Sequence, residues 1–160
     1  MRVALDTNVL AYAAGVDRSA DDAAKTETAR SLIAGLSGRM TLIAPVQALG
    51  ELYVVLTRAG EAREDARETV LRMHAAFGHA PSDTATLLSA LDAAAAHKLQ
   101  LWDALILTAA AEAGCAMLLS EDMHAGFTWR GVCVVNPFAP TIDRRLADIW
   151  QPDASGDRGS

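Results

Sequence analysis

Four acidic residues stand out in this chain because nothing beside them in the sequence balances their charge. In RVALDTNVLAYAAG (Arg2–Gly15), Asp6 is the only charge between Arg2 and Asp17. In TLIAPVQALGELYVVLT, Glu51 is the only charge between Arg39 and Arg58. In LQLWDALILTAAA, Asp103 is the only charge between Lys98 and Glu112. A further apolar run, AGCAMLLS, ends on EDM, which brings Glu121 and Asp122. An isolated carboxylate in apolar surroundings costs several kcal/mol or a large pKa shift. One such acid is an oddity; four in the same setting point to a site.

The chemistry open to such a site is narrow. Carboxylates within about 4–6 Å of one another repel and raise one another's pKa. They stay ionised at neutral pH only beside compensating positive charge, and no neighbouring Lys or Arg supplies it. A hard divalent cation does. Mg²⁺ takes oxygen ligands, keeps several waters and bridges to phosphate oxygens. On a phosphodiester it polarises a phosphoryl oxygen and activates water, and a second ion would stabilise the leaving oxygen. The two cysteines form no CxxC pair, and His74, His79, His97 and His124 show no HxH or HExxH spacing, which points away from structural zinc.

The elements that must carry these acids alternate between short apolar runs and longer helical patterns. Arg2–Leu5, Thr41–Ala44, Ala116–Leu119 and Val132–Val135 are apolar almost throughout, as in strands covered on both faces of a parallel sheet. In Thr26–Leu36, Ala29, Leu32, Ile33 and Leu36 recur at helical spacing. Pro45 suits the first turn of a helix running to about Arg58, with Gly60 as its stop. Glu61–Ala76 is charged on one face and carries Val70, Leu71, Met73 and Phe77 as apolar residues. Ser82 or Asp83 caps a helix to about Lys98, and Leu101–Ala113 forms another, ended by Gly114. The expected architecture is one α/β domain over residues 1–150: a parallel sheet flanked by helices, with an added helical hairpin between Glu61 and Lys98. The tail at 151–160, QPDASGDRGS, has no apolar periodicity and reads as disordered.

On that map Asp6 and Asp122 follow strands, at the edge where open parallel sheets bind ligands. Glu51 lies in the second turn of its helix and Asp103 near the start of its own, so both can reach that edge from the sheet's faces. Each acid also has an ordinary explanation. Asp6 can cap a helix, Asp103 can satisfy a first helical turn, and Glu121 with Asp122 can form a solvated turn. Glu51 is harder to dismiss, because Val46, Leu49, Leu52, Tyr53, Val54, Val55 and Leu56 leave its helix apolar on nearly every side.

The whole chain sets outer bounds. It has 160 residues, 51% of them hydrophobic, enough for one domain with a proper core. A formal net charge of −6 argues against a generally basic, non-specific nucleic-acid binder, while leaving room for contact through a metal or a local basic patch. Arg58, Arg63, Arg67 and Arg72 offer such a stripe, though Glu61, Glu64, Asp65 and Glu68 interleave with them as on a solvated face. Cys115 and Cys133 read as buried free thiols, which suits a reducing cytoplasm. No signal-peptide pattern opens the chain, and no apolar run reaches membrane-spanning length.

These residues resemble the motifs of PIN-domain ribonucleases, in particular the VapC-type toxins of bacterial toxin–antitoxin pairs. The resemblance rests on ALDTNVLAY (Ala4–Tyr12), QALGELYVVL (Gln47–Leu56), WDALI (Trp102–Ile106) and LLSEDM with Gly126, and extends to NPF at Asn136–Phe138. It implies a Rossmann-like sheet of strand order 3-2-1-4-5, Mg²⁺ or Mn²⁺ as cofactor, and endonucleolytic cleavage of RNA. It makes Asp6, Glu51, Asp103 and Asp122 the catalytic and metal-binding quartet. Thr7 and Asn8 match the polar residues beside the first acid, Ser120 matches the small hydroxyl residue of the fourth motif, and Glu121 is a neighbour without an assigned role. It further implies a homodimer and an antitoxin whose C-terminal segment covers the acidic cleft. The alternatives are a non-toxin nuclease of the same chemistry acting on other RNA or on DNA, and a non-catalytic PIN-like binding module. Phosphoryl-transfer domains of the haloacid-dehalogenase or response-regulator kind fit less well. The first needs a second Asp where Asn8 stands; the second needs paired acids and a later strand-end Lys that are missing here.

Overall fold

The structure is a computed structural model and describes residues 1–17 and 19–152. Its elements, in chain order, are β1 (Arg2–Leu5), α1 (Thr7–Ala13), α2 (Asp22–Leu36), β2 (Thr41–Pro45), α3 (Val46–Arg58), α4 (Arg63–Ala76), β3 (Gly78–Ala80), α5 (Thr84–His97), α6 (Leu101–Glu112), β4 (Met117–Leu119), β5 (Thr128–Trp129), β6 (Val132–Val135) and α7 (Arg144–Ala147). The strands form one sheet of order β3-β2-β1-β4-β6-β5. All neighbours pair in parallel except β5, which runs antiparallel to β6 at the edge. The five parallel strands, counted in chain order, reproduce the expected 3-2-1-4-5 arrangement.

The central strands are apolar because they have no solvent-facing side. Val3, Ala4, Leu5, Leu118, Leu119, Val134 and Val135 are wholly buried. With no polar face to alternate, a parallel sheet covered by helices reads as a continuous hydrophobic run. The core extends from these strands through Val9, Leu10, Leu32, Leu36, Leu52, Leu56, Ile106 and Leu107 on the helices, and closes on Leu146 and Trp150. Gly35 of α2 makes room for the last of these. A Cβ there would lie 2.7 Å from the Trp150 ring.

Several expected features need correction. The segment between Glu61 and Lys98 is not a helical hairpin. Its two helices are separated by β3, and α4 packs on α3 while α5 packs on α6. No apolar run marks β3, whose sequence is only Gly-His-Ala. What admits it is Gly78, where a Cβ would meet the Ile43 side chain at 2.7 Å. Pro45 ends β2 and stands at the cap of α3, one residue before the helical first turn assigned to it. Leu71 points outward on α4, whose buried positions are Ala66 and Thr69. Helix α2 starts at Asp22, ahead of Thr26. Asp83, not Ser82, caps α5, through a reciprocal capping box with Thr86. In the tail, residues 153–160 lie outside the described residues. Cys115 and Cys133 are buried free thiols, and burial pushes Cys115 up to about 11, as for an inert core cysteine. Among the described residues no helix is long and apolar enough to cross a membrane.

Candidate active site

Asp6 and Ser120 meet because of strand register. Leu5 of β1 pairs with Leu119 of β4, so the next residue of each strand leaves the sheet at the same carboxyl edge. The Asp6 amide donates to the Leu119 carbonyl at 3.0 Å, and the Ser120 amide to the Val135 carbonyl at 3.0 Å. Asp6 is 3% exposed and Ser120 fully buried. The Asp6 carboxylate caps α1, accepting from the Thr7 amide at 2.7 Å through Oδ1. Its Oδ2 accepts from the Ser120 hydroxyl at 2.6 Å and from Asn8 Nδ2 at 3.3 Å. Capping and site-building are therefore both true of Asp6.

The other acids arrive from three directions. Glu51 projects from α3, which begins as soon as β2 ends beside β1. Its Oε2 accepts from the Thr7 hydroxyl at 2.8 Å, and its Oε1 from Gln47 Nε2, one helical turn back, at 3.2 Å. Asp122, exposed in the turn after β4, accepts from Asn8 Nδ2 at 3.1 Å. Asn8 thus ties the first and last acids together. Asp103, in the first turn of α6, is half-buried. It makes no hydrogen bond or ion pair among the described residues, so the capping role open to it in the sequence is not one it performs.

Electrostatics couples all four. Burial pushes Asp6 up to about 6, against the lowering effect of its Ser120 and Thr7 hydrogen bonds, and the Asp103 and Asp122 charges raise it further. Asp103 is raised by burial, then by Glu51 and by Asp122. Thr7, Asn8, Glu51, Asp122 and Glu121 line an open cleft of about 430 Å³, while Asp6 and Asp103 are not among its lining residues.

Residues 3–125 match the family model described as PIN domain. The chain belongs to the PIN-domain family. Its fold is similar to that of Mycobacterium tuberculosis VapC20, a sarcin-ricin-loop-cleaving toxin, with a TM-score of 0.59 and 19% identity over 75% of this chain and 89% of that one. It is also similar to VapBC2 of Rickettsia felis, solved bound to a DNA fragment from its promoter, with a TM-score of 0.57 and 14% identity over 75% and 86% of the two chains. No curated protein sequence matches it.

Within this PIN domain, Glu121 stands apart from the quartet. Its Oε2 accepts from the Tyr12 hydroxyl at 2.9 Å, its other oxygen pairs with Lys25, and its amide donates to Asn8 Oδ1 at 3.1 Å. The bond from Glu121 holds Lys25 above the usual ammonium range. Tyr12 in turn sits edge-on against Phe138, ring centroids 5.1 Å apart. Tyr12 and Lys25 escaped the sequence reading. Tyr12 had a signal, since it follows Asn8 by one helical turn on α1; Lys25, in the polar run before Thr26, had none.

The donor set fits a hard cation by its chemistry: carboxylates and hydroxyls, with the nearest ammonium spent on Glu121. It is not a closed cage. Among the described residues no three His, Cys, Asp or Glu side chains stand close enough to hold an ion by themselves. A cation held here would therefore need waters or substrate phosphate for its remaining ligands.

Proposed function

We propose that this PIN domain is a divalent-metal-dependent endoribonuclease that serves as the toxin of a toxin–antitoxin pair. The observation that carries the proposal is Asp103: a half-buried acid with no structural bond, whose protonation is coupled to Glu51 and Asp122. An acid with no partner in the fold is kept for a partner outside it. Asp6, Glu51, Asp103 and Asp122 are the residues to hold Mg²⁺ or Mn²⁺. When bound, the ion supplies Lewis-acid activation of a phosphodiester and of the attacking water.

The chain's own groups prepare that chemistry. Ser120, Thr7 and Asn8 fix both oxygens of Asp6, so its orientation is set before any ligand arrives. Gln47 and Thr7 do the same for Glu51. Burial withholds water from Asp6 and raises the cost of its charge, which an added cation would offset. Such preorganisation lowers the reorganisation cost at the moment of reaction.

The toxin assignment draws on the likeness of fold to VapC20 and VapBC2. With it come an antitoxin partner, a homodimer, cytoplasmic residence and a single functional domain over residues 1–150. Cleavage of single-stranded RNA in Mg²⁺ or Mn²⁺, abolished by EDTA and by Asp103→Asn, tests the nuclease. Full activity in Asp103→Asn would overturn it. Growth arrest on expression without an antitoxin, absent for Asp6→Asn, tests the toxin separately. A nuclease harmless to a host that contains its RNA target would leave the alternative, a non-toxin PIN enzyme on other RNA or DNA. Metal-independent RNA binding without cleavage would leave a binding module.

A further inference from the structure

The acidic cleft has one cationic wall. Arg58, at the end of α3, is the single basic residue among the described residues that line it. It follows Glu51 by seven residues, about 10 Å along the helix axis. Yet Glu51 is bonded to Thr7 and Gln47, and Arg58 makes no hydrogen bond or ion pair among the described residues. Its guanidinium is therefore not there to neutralise the quartet.

Arg58 also lines a second, open depression of about 510 Å³, together with Tyr53, Thr57, Glu61 and Arg63. One side chain is thus shared by the cleft and its neighbour. Arg63 is equally unpaired among the described residues, and it occupies the first residue of α4. A cation there opposes the helix dipole, so helix stability does not explain it. The Thr57 hydroxyl is spent on the carbonyls of Tyr53 and Val54, which leaves the two guanidiniums as the strong donors, set against one carboxylate, Glu61. Half-buried Tyr53 adds an aromatic face.

We propose that this depression is a subsite for the single strand that flanks the cleaved phosphate, with Arg58 and Arg63 on backbone phosphates and Tyr53 stacking a base. Guanidinium forks match phosphate oxygens, and aromatic faces accept any base. The inference rests on the nuclease reading for its ligand. The subsite would hold the strand in place next to the acids without reading its sequence.

The test is anisotropy of a short, labelled single-stranded RNA across a salt series in EDTA, where the strand stays whole. Each phosphate contact on a single strand contributes about 0.7 to the slope of log K against log salt. Arg58→Ala/Arg63→Ala should lower the slope by about 1.4 at an unchanged melting temperature, while the double Lys variant keeps it. Tyr53→Ala should weaken binding roughly fivefold to a hundredfold with the slope intact. Wild-type affinity and slope in the double Ala variant would overturn the subsite, as would a wild type that binds no RNA. Equal displacement by polyglutamate, with Tyr53→Ala silent, would assign the depression to an acidic protein segment and overturn it too. Cleavage in Mg²⁺ is scored separately. A wild type that binds through the arginines but cuts nothing removes the nuclease and keeps the subsite.

Discussion

Asp6 and Asp83 do the same local work at opposite electrostatic poles. Each caps a helix with its side chain. Asp6 accepts from the Thr7 amide at 2.7 Å, and Asp83 from the Thr86 amide at 2.9 Å and the Thr86 hydroxyl at 3.0 Å. Asp83 is exposed, and those bonds hold it below the usual carboxylate range. Asp6 is hydrogen-bonded as well, by Thr7, Ser120 and Asn8, yet it is pushed up to about 6 by burial and by Asp103 and Asp122. Hydrogen bonding dominates at Asp83; desolvation dominates at Asp6, and like charge adds to it. Capping stabilises the protein at Asp83. At Asp6 the same motif anchors a group whose ionised form the apo fold resists.

The sharpest break between the two is activity. Asp6→Asn keeps a competent cap and the side-chain shape, yet RNA cleavage in Mg²⁺ should fall by about 10²–10³-fold, the scale of losing one preorganised charge-stabilising group. Asp83→Asn should cleave like wild type. Equal losses in both would mean that capping, not charge, is what the site needs.

Next in size is pH. A carboxyl raised from 3.8 to about 6 on folding stays protonated in the native state where the unfolded chain has already ionised. Its stabilisation is full below about pH 4 and is lost as pH rises to about 6, a change on the order of 3 kcal/mol. Denaturant titrations in EDTA should show this fall, and Asp6→Asn should show a smaller one, that left by the raised Asp103. Asp83, held below its ordinary value, works in the opposite direction. Its contribution is present above about pH 4 and fades as pH drops below that. Wild-type stability that rises with pH between 4 and 6 would contradict the Asp6 assignment.

Smaller still is the relief of repulsion. Asp103→Asn should stabilise the metal-free protein by about 1 kcal/mol, after screening at a half-buried position. Saturating Mg²⁺ should raise the wild-type melting temperature through binding to the folded state, and raise that of Asp103→Asn much less. A destabilised variant indifferent to metal would make Asp103 structural. The smallest effect belongs to Lys25→Met, which removes a partly exposed ion pair with Glu121. It should cost roughly 0.5 kcal/mol and leave the pH 4–6 window unchanged.

Legibility in the sequence followed the physics of each feature. Strands β1, β2, β4 and β6 were readable because a sheet buried on both faces demands unbroken apolar runs. Strand β3 was not, because Gly78 contributes space rather than hydrophobicity. The antiparallel β5 is too short to leave a pattern. Asp6, Glu51, Asp103 and Asp122 were conspicuous because charge is scarce in apolar helices and strands. The Lys25–Glu121 pair was invisible because its halves lie far apart in the chain, joined only by tertiary packing. Asp103 is ambiguous in the sequence, since an acid in a first helical turn has an innocent reading; its lack of a hydrogen bond or ion pair among the described residues is what separates the two readings.

The strand order also has a consequence in time. β1 lies in the middle of the sheet, but its partner β4 is made more than a hundred residues later, and Asp6 takes its strongest side-chain bond from Ser120 just beyond. At a synthesis rate of about 5–20 residues per second, the interval is roughly 6–20 s. Throughout it a chain on the ribosome holds Asp6, joined part-way by Glu51, without Ser120 or Asp122. The four acids therefore cannot come together until β4 and the turn after it have been made, so topology alone defers assembly of the cluster to the last part of translation.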